Sequence, residues 1–231
     1  MKCWCNTDMQ NSFHPDYFLC PYCGTFVSKE KPKEDYYDFK KYWYDKQQEY
    51  NFPSIEQRAI DDFNNRIPFW GEQLKKLPKL LSVLEIGGGH GGFLRYCKEQ
   101  GFEKCVGIEI TEETCNFARK TFGVEMICGE FPYIDIAGQF DLVCGFDVFE
   151  HFMEPEKALY KMTELGKYIM IQIPCYRGER MTFCHFNRGE HMFIFNEKSI
   201  LSLFESVDIK IIHMIKGAFH QDLTIIGGNE K

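Results

Sequence analysis

The chain has 231 residues, 44% hydrophobic and 26% charged, enough for one sizeable α/β core with a small appendage and too apolar for disorder. A net charge of −7 and a pI near 5.6 speak against a broad basic footprint on phosphate backbones, so nucleic acid is not the expected partner. No apolar run approaches the roughly 20 residues that span a bilayer, and MKCWCNTDMQ carries no signal-peptide core, so the expected location is the cytoplasm.

Reduced cysteines are expected there, and their spacing is read for metal ligation before disulfides. Residues 1–30 hold Cys3-x-Cys5 and Cys20-x-x-Cys23-Gly24, two close thiolate pairs suited to tetrahedral zinc, with His14 as an alternative ligand for either member of the first pair. Such a short piece cannot bury a core unaided, so a structural zinc staple is expected there, closed to substrate. The competing reading is two unrelated buried thiol pairs or a redox C-x-x-C. Cys97, Cys105, Cys115, Cys128, Cys144, Cys175 and Cys184 show no comparable pairing and read mostly as core thiols.

Residues 31–79 read as a helical prelude or lid. Ser54 is placed as an N-cap with Gln57 as its capping-box partner, and Pro68 as the break between two helices. Tyr42 and Tyr44, in an aromatic run, are candidates for touching a ligand or for plain packing. From residue 80 onward, short apolar runs alternate with amphipathic ones, the pattern of repeated β-α units and a mainly parallel sheet. Strands are expected at 82–87, 104–110, 124–129, 140–146, 168–174, 207–214 and 222–227, the last two as an antiparallel hairpin. Helices are expected near 91–100, 112–121, 155–165 and 197–205.

The first strand-to-helix turn of such a sheet is where a ligand is expected, and VLEIGGGHGGF places Gly87, Gly88, Gly89, Gly91 and Gly92 there. Gly87, Gly89 and Gly92 also satisfy G-x-G-x-x-G with Glu109 about 20 residues on, as in nicotinamide sites. Glu85, just ahead of the glycines, separates the readings. It would repel a pyrophosphate, but complements a ligand that carries an ammonium and a sulfonium beside its carboxylate. Glu109 can accept from both ribose hydroxyls, and Cys128, Gly129 and Glu130 lie where an adenine edge would be read.

With FDLVCGFDVFEHFMEP at 140–155, these motifs in this order resemble the class I S-adenosylmethionine (SAM) dependent methyltransferases, over roughly residues 80–227. The resemblance implies a Rossmann-like seven-stranded sheet with SAM held by Glu85, Gly87, Gly88, Gly89, Glu109, Ile110, Gly129, Glu130 and Phe146. Asp147, Glu150 and His151 form D-x-x-E-H, similar to the E-x-x-E-H block that binds a divalent metal in relatives acting on ubiquinone precursors or RNA ends. Asp147 shortens the first arm. In sugar methyltransferases with an N-terminal zinc module the Glu-His pair serves as the base, assisted by a tyrosine two residues before the Glu, where this chain has Val148. Such an EH pair can also simply open a helix as its N-terminal cap. His191, with His185 nearby, precedes an FxxxSL-like segment as in many relatives. The expected catalytic set is therefore Asp147, Glu150, His151 and His191. The acceptor is expected to be a small polar molecule, a sugar or surface-glycan precursor methylated on oxygen or carbon. Two other readings stand beside it: a nicotinamide-dependent oxidoreductase, and a zinc-containing RNA- or protein-binding module with a degenerate methyltransferase core.

Overall fold

In a computed structural model of the chain, the structure describes residues 2–32, 36–45, 48, 51–178, 186–187, 189–219 and 222–228; His185 and Cys184 lie outside them. A seven-stranded sheet is built from β4 (Ser82–Ile86), β5 (Lys104–Glu109), β6 (Glu125–Cys128), β7 (Phe140–Phe146), β8 (Gly166–Pro174), β10 (Lys210–Lys216) and β11 (Asp222–Gly228). Their spatial order is β10-β11-β8-β7-β4-β5-β6. A second, four-stranded sheet joins β1 (Gln10–Asn11), β2 (Tyr17–Leu19), β3 (Phe26–Ser28) and β9 (Phe193–Ile194), in that order. The α/β class, the mostly parallel main sheet and the antiparallel C-terminal strands agree with the sequence reading.

The chain divides into two compact units, Met1–Lys33 with Phe146–Lys231, and Glu34–Gly145. In the second, β4 pairs in parallel with β5 and β7, and β5 with β6, in a register that sets Ile86 beside Ile108 and Gly145, and Glu109 beside Cys128. The ends of these strands thus finish level, and the loops that follow emerge together. The strands are continuous apolar runs because both of their faces are covered. Gly107 lies mid-strand because a Cβ there would stand 2.5 Å from Met126 Sδ and 2.8 Å from Leu94 Cδ1. Asp141 ties the start of β4 to β7, accepting from the Leu81 and Ser82 amides. Around the sheet pack α3 (Gly92–Glu99) and α4 (Glu112–Phe122), the latter capped by Thr111.

The prelude of this unit contains α1 (Ile55–Asn64) and α2 (Arg66–Leu74). Ser54 does cap α1, accepting from the Gln57 backbone amide, but the Gln57 side chain closes no box and instead donates its Nε2 forward to Asp61 Oδ1. The break falls at Asn65, not at Pro68. Pro68 sits in the first turn of α2, where its missing N–H has no intrahelical partner to lose. Tyr42 packs edge-on against Trp43 and Phe52, and Tyr44 donates to Glu56.

In the first unit, β11 pairs antiparallel with β8 over the whole length of β11, from Asp222 opposite Pro174 to Gly228 opposite Tyr168, and antiparallel with β10. Helices α5 (Pro155–Leu165) and α6 (Glu197–Ser206) accompany them. The expected strand at 207–214 begins at Lys210 instead, because Asp208 takes a positive φ of 56° as the chain leaves α6. A reciprocal capping box does occur, at Asn196 and Ser199. Among the described residues no helix is long and apolar enough to cross a membrane.

Candidate active site

The glycine turn follows β4 directly. Gly87, Gly89 and Gly91 hold φ values of 67°, 48° and 81°, a region that costs other residues strain. Gly91 opens α3, and a side chain there would run into Val124 and Ala118 at 2.8 and 2.9 Å. The Gly89 amide donates to Glu109 Oε2 at 3.1 Å and the Ile110 amide to Oε1 at 2.7 Å, so the turn and the end of β5 are locked through one carboxylate. Burial raises that carboxyl above its ordinary range, opposed by these backbone donors. Ile110 is 40% exposed, large and apolar at the rim. The Gly129 amide donates to the Glu109 carbonyl, and Glu130 begins a turn onto Tyr133 and Ile134.

Glu85 is buried beneath the turn, and its Oε2 has no hydrogen-bond partner. Burial, then Asp62, then Glu109 push its carboxyl well above the usual carboxylate range. An acid in that state calls for a cation. The ligand implied by the sequence motifs, SAM, carries an ammonium and a sulfonium, so the orphaned oxygen fits it.

Asp62 was not foreseen. It is buried on α1, takes both oxygens to Arg58 Nε at 3.1 Å, faces Arg66 at 3.6 Å, and meets His90 Nε2 at 3.0 Å. His90 Nδ1 in turn accepts from the Gly92 amide. The i, i+4 ladder Arg58–Asp62–Arg66 is visible in the sequence; its reach into the glycine turn is not.

The other polar cluster belongs to the first unit. Glu150 and His151 lie in a short 3-10 turn, Phe149–His151, that ends three residues before α5, so the EH pair does not open a helix. Glu150, His151 and His191 each offer an atom within 4.8 Å of the others. Asp147 lies outside that group, at a φ of 52°, with its amide donating to the Gln172 carbonyl. His191 therefore completes the trio.

His151 Nδ1 stands 3.0 Å from the Glu190 carbonyl, which can only accept, so Nδ1 carries the proton and Nε2 the lone pair. Nε2 is 3.8 Å from Glu150 Oε1. Burial, then the neighbouring His191, push His151 down to about 4, so the ring is neutral at neutral pH. Burial, then Asp147, push Glu150 well above the carboxylate range, and its Oε2 has no partner. Phe146, buried, ends β7 just ahead of this turn.

Sequence reasoning missed Glu190, although the chain writes Glu-His twice, at 150–151 and 190–191. It also missed Asp222, a buried acid opening β11. One of its oxygens accepts from the Phe219 amide while the other has no partner.

The four cysteines converge as the spacing implies. Cys3 Sγ lies 3.6 Å from Cys23 Sγ and Cys5 Sγ 3.5 Å from Cys20 Sγ, with all four within 4.8 Å of one another. Ligands about 2.3 Å from a tetrahedral ion stand roughly 3.8 Å apart, so this donor set is compatible with zinc. The Cys3 thiol beside it draws Cys23 down to about 6. His14 is not in the group; its ring stacks on Phe186 at 4.7 Å. Cys97, Cys105, Cys115, Cys144 and Cys175 are buried free thiols, and Cys128 is half-buried.

Residues 49–214 match the family model described as a methyltransferase domain. Among solved structures the chain is similar to one from the complex of the Haloferax volcanii Trm112 methyltransferase activator with a methyltransferase, at TM-score 0.64 and 13% identity, covering 74% of this chain and 92% of that one. The N-terminal domain of EvdMO1 with SAH bound is similar at TM-score 0.57 and 17% identity, covering 71% and 81%. Magnesium protoporphyrin IX methyltransferase from Synechocystis PCC 6803, also with SAH, is similar at TM-score 0.57 and 16% identity, covering 76% and 84%. At these identities the likeness is one of fold.

Proposed function

The chain belongs to the methyltransferase-domain family and is a SAM-dependent methyltransferase; from that premise we propose that it methylates a hydroxyl or an activated carbon of a small polar acceptor of the sugar class. The observation that carries this reading is the convergent trio of a buried Glu150 with the half-buried His151 and His191, a proton-handling set. SAM, when bound, supplies an electrophilic methyl group on a sulfonium.

The residues that would hold it are Glu85, opposite the cationic groups; the backbone of the turn Gly87, Gly88 and Gly89; Glu109 for the ribose hydroxyls; and Ile110, Gly129, Glu130 and Phe146 around the adenine and the rim. His151 does the chain's part of the chemistry. With Nδ1 held by the Glu190 carbonyl, Nε2 is the atom that takes the acceptor's proton as its oxygen or carbon attacks. Glu150 and His191 flank that ring, and Glu190 and Asp147, which work against the downward shift of His151, steady the charge it gains. The sugar class draws support from EvdMO1, whose N-terminal domain was also crystallised in the presence of SAH and D-fucose.

Four thiolates in two close pairs support a structural zinc at Cys3, Cys5, Cys20 and Cys23. A second reading of the trio, as ligands of a divalent ion, is favoured by the same convergence, with His191 in place of Asp147.

One screen tests both. Sugar nucleotides and catechols are incubated with SAM, and a mass gain of one methylene unit is sought, before and after chelation. A methylated sugar made at full rate after chelation supports His151 as the base and rejects the divalent ion. A catechol product, lost on chelation and restored by Mg²⁺ but not by Zn²⁺, rejects the sugar reading. Stabilisation by NAD alone, without SAM, would contradict the cofactor assignment.

A further inference from the structure

We propose that the cysteine ribbon is the brace of the catalytic trio, and that Tyr17 is its positioning residue, acting through His191. This rests on the reading of His151 and His191 as proton-handling groups.

Tyr17 is fully buried, and its hydroxyl donates to the backbone carbonyl of His191 at 2.9 Å, across 174 positions of sequence. The residues that follow His191 are held by the same module. The Ser28 amide donates to the Met192 carbonyl at 2.9 Å, and Thr25 Oγ1 donates to the Ile194 carbonyl at 3.1 Å. Strand β9 pairs with β3, Phe26 opposite Ile194 and Val27 opposite Phe193. Asn196, which caps α6, donates back to the Gly24 carbonyl at 2.7 Å.

The stretch from His191 to Asn196 is therefore fastened to the ribbon at one backbone or side-chain group after another. Just ahead of it, the Glu190 carbonyl fixes the His151 tautomer, and the His151 and His191 rings stand 5.0 Å apart. Displacing this stretch moves both imidazoles.

The ribbon's own shape depends on its cysteines. Cys20 and Cys23 form the turn of the β2–β3 hairpin, with the Gly24 amide donating to the Cys20 carbonyl and the Cys20 amide to that of Thr25. One arm of the hairpin presents Tyr17, and the other supplies the edge on which β9 is laid. So few residues cannot set this geometry by burial alone. The apolar contribution is two small clusters, Tyr17, Phe26, Phe186 and Ile194 in one and the buried cysteines with Trp4 and Met9 in the other. An ion on the four thiolates would close the hairpin and, through it, aim His191.

Deleting one phenolic oxygen isolates the link. In the full-length chain saturated with S-adenosylhomocysteine, histidine-labelled protein is compared as wild type, Tyr17→Phe and wild type stripped of metal by a thiol-reactive mercurial. The His151 and His191 ring resonances, assigned with His151→Gln and His191→Gln, should shift in both the variant and the stripped protein, while His213 stays put. Unmoved ring resonances in Tyr17→Phe overturn the brace.

With the acceptor found by the screen, kcat of Tyr17→Phe should fall roughly tenfold at unchanged SAM affinity. Adding Tyr17→Phe to His191→Ala should cost less than it costs the wild-type chain, since only the displacement of His151 is then left to lower the rate. Losses that multiply would show that Tyr17 does not act through His191, and would overturn the assignment. Full activity in His191→Ala alone would instead remove the proton-handling reading of His191, leaving the resonances to decide the brace.

Discussion

The proposed cofactor cradle draws on Glu85 to Gly92 and Glu109, within one β-α-β stretch. The Glu150–His151–His191 trio needs a turn after β7, a segment forty residues later, and a tyrosine near the N-terminus to hold that segment. The cradle is made mostly of backbone: positive-φ glycines, amides on a carboxylate, the start of α3. The trio is made of side chains whose placement is inherited from the four-stranded sheet. What a short loop can hold by its own conformation is local; what requires two imidazoles and a buried acid at close quarters must be assembled from afar. The two regions share one electrostatic feature and differ in another: burial and a neighbouring acid drive Glu85 and Glu150 alike toward the neutral carboxyl, while only the trio adds an imidazole, His151, that is driven neutral as well.

The contrast breaks most visibly at the trio. Glu150→Gln and His151→Ala should each lower kcat by roughly 100-fold or more, with SAM affinity by calorimetry within a factor of about two of wild type. A parallel loss of SAM binding would show that the two regions are not separable in this way.

Asp62→Ala should cost about 3 kcal/mol of stability in denaturant titration, since it removes the buried carboxylate that Arg58, Arg66 and His90 share. It should weaken SAM binding as well, because His90 holds the Gly92 amide. Intact SAM affinity in a destabilised Asp62→Ala would sever the prelude from the cradle.

Glu85→Gln should weaken SAM by about 2 kcal/mol, near 30-fold, by removing the charge that faces the ligand's cations. The same change should stabilise the ligand-free protein. A carboxyl raised by burial binds its proton more tightly folded than unfolded, so its share of stability is whole below the ordinary carboxylate pKa. That share is lost as pH climbs through the raised value, and Gln escapes the loss. The melting temperature of the variant should therefore exceed that of wild type at neutral pH, with the gap closing in acid. A gap that persists in acid would mean that the titration of Glu85 is not its source. The smallest effect belongs to Ser54→Ala, about 1 kcal/mol of stability with SAM affinity unchanged, since the cap serves α1 alone.

Much of the architecture was legible because it follows from periodicity. The parallel strands were readable as continuous apolar runs, and β4, β5, β6 and β7 lie within a residue or two of where those runs place them. The break between α1 and α2 was misplaced because proline is tolerated in a first helical turn. The start of β10 was misplaced because a positive φ at Asp208 is not announced by an aspartate. Of the residues proposed for the site, Glu85 and Glu109 were readable from their position relative to the glycines, and the four-cysteine cluster from its spacing. Asp62, Glu190, Asp222 and Tyr17 were not, since each matters for a contact with a residue far away in the chain or for an oxygen left without a partner.

By itself, then, the sequence determined the class of fold, the glycine turn with its two acids, and the thiolate set, because all of these depend on residue type at short spacing. Only the tertiary structure decided that His191 rather than Asp147 joins Glu150 and His151, and that the cysteine ribbon is stitched to the strand that carries His191. Hydrogen bonds across 174 residues leave no periodic trace in the chain. They exist only once the backbone has brought their donors and acceptors together.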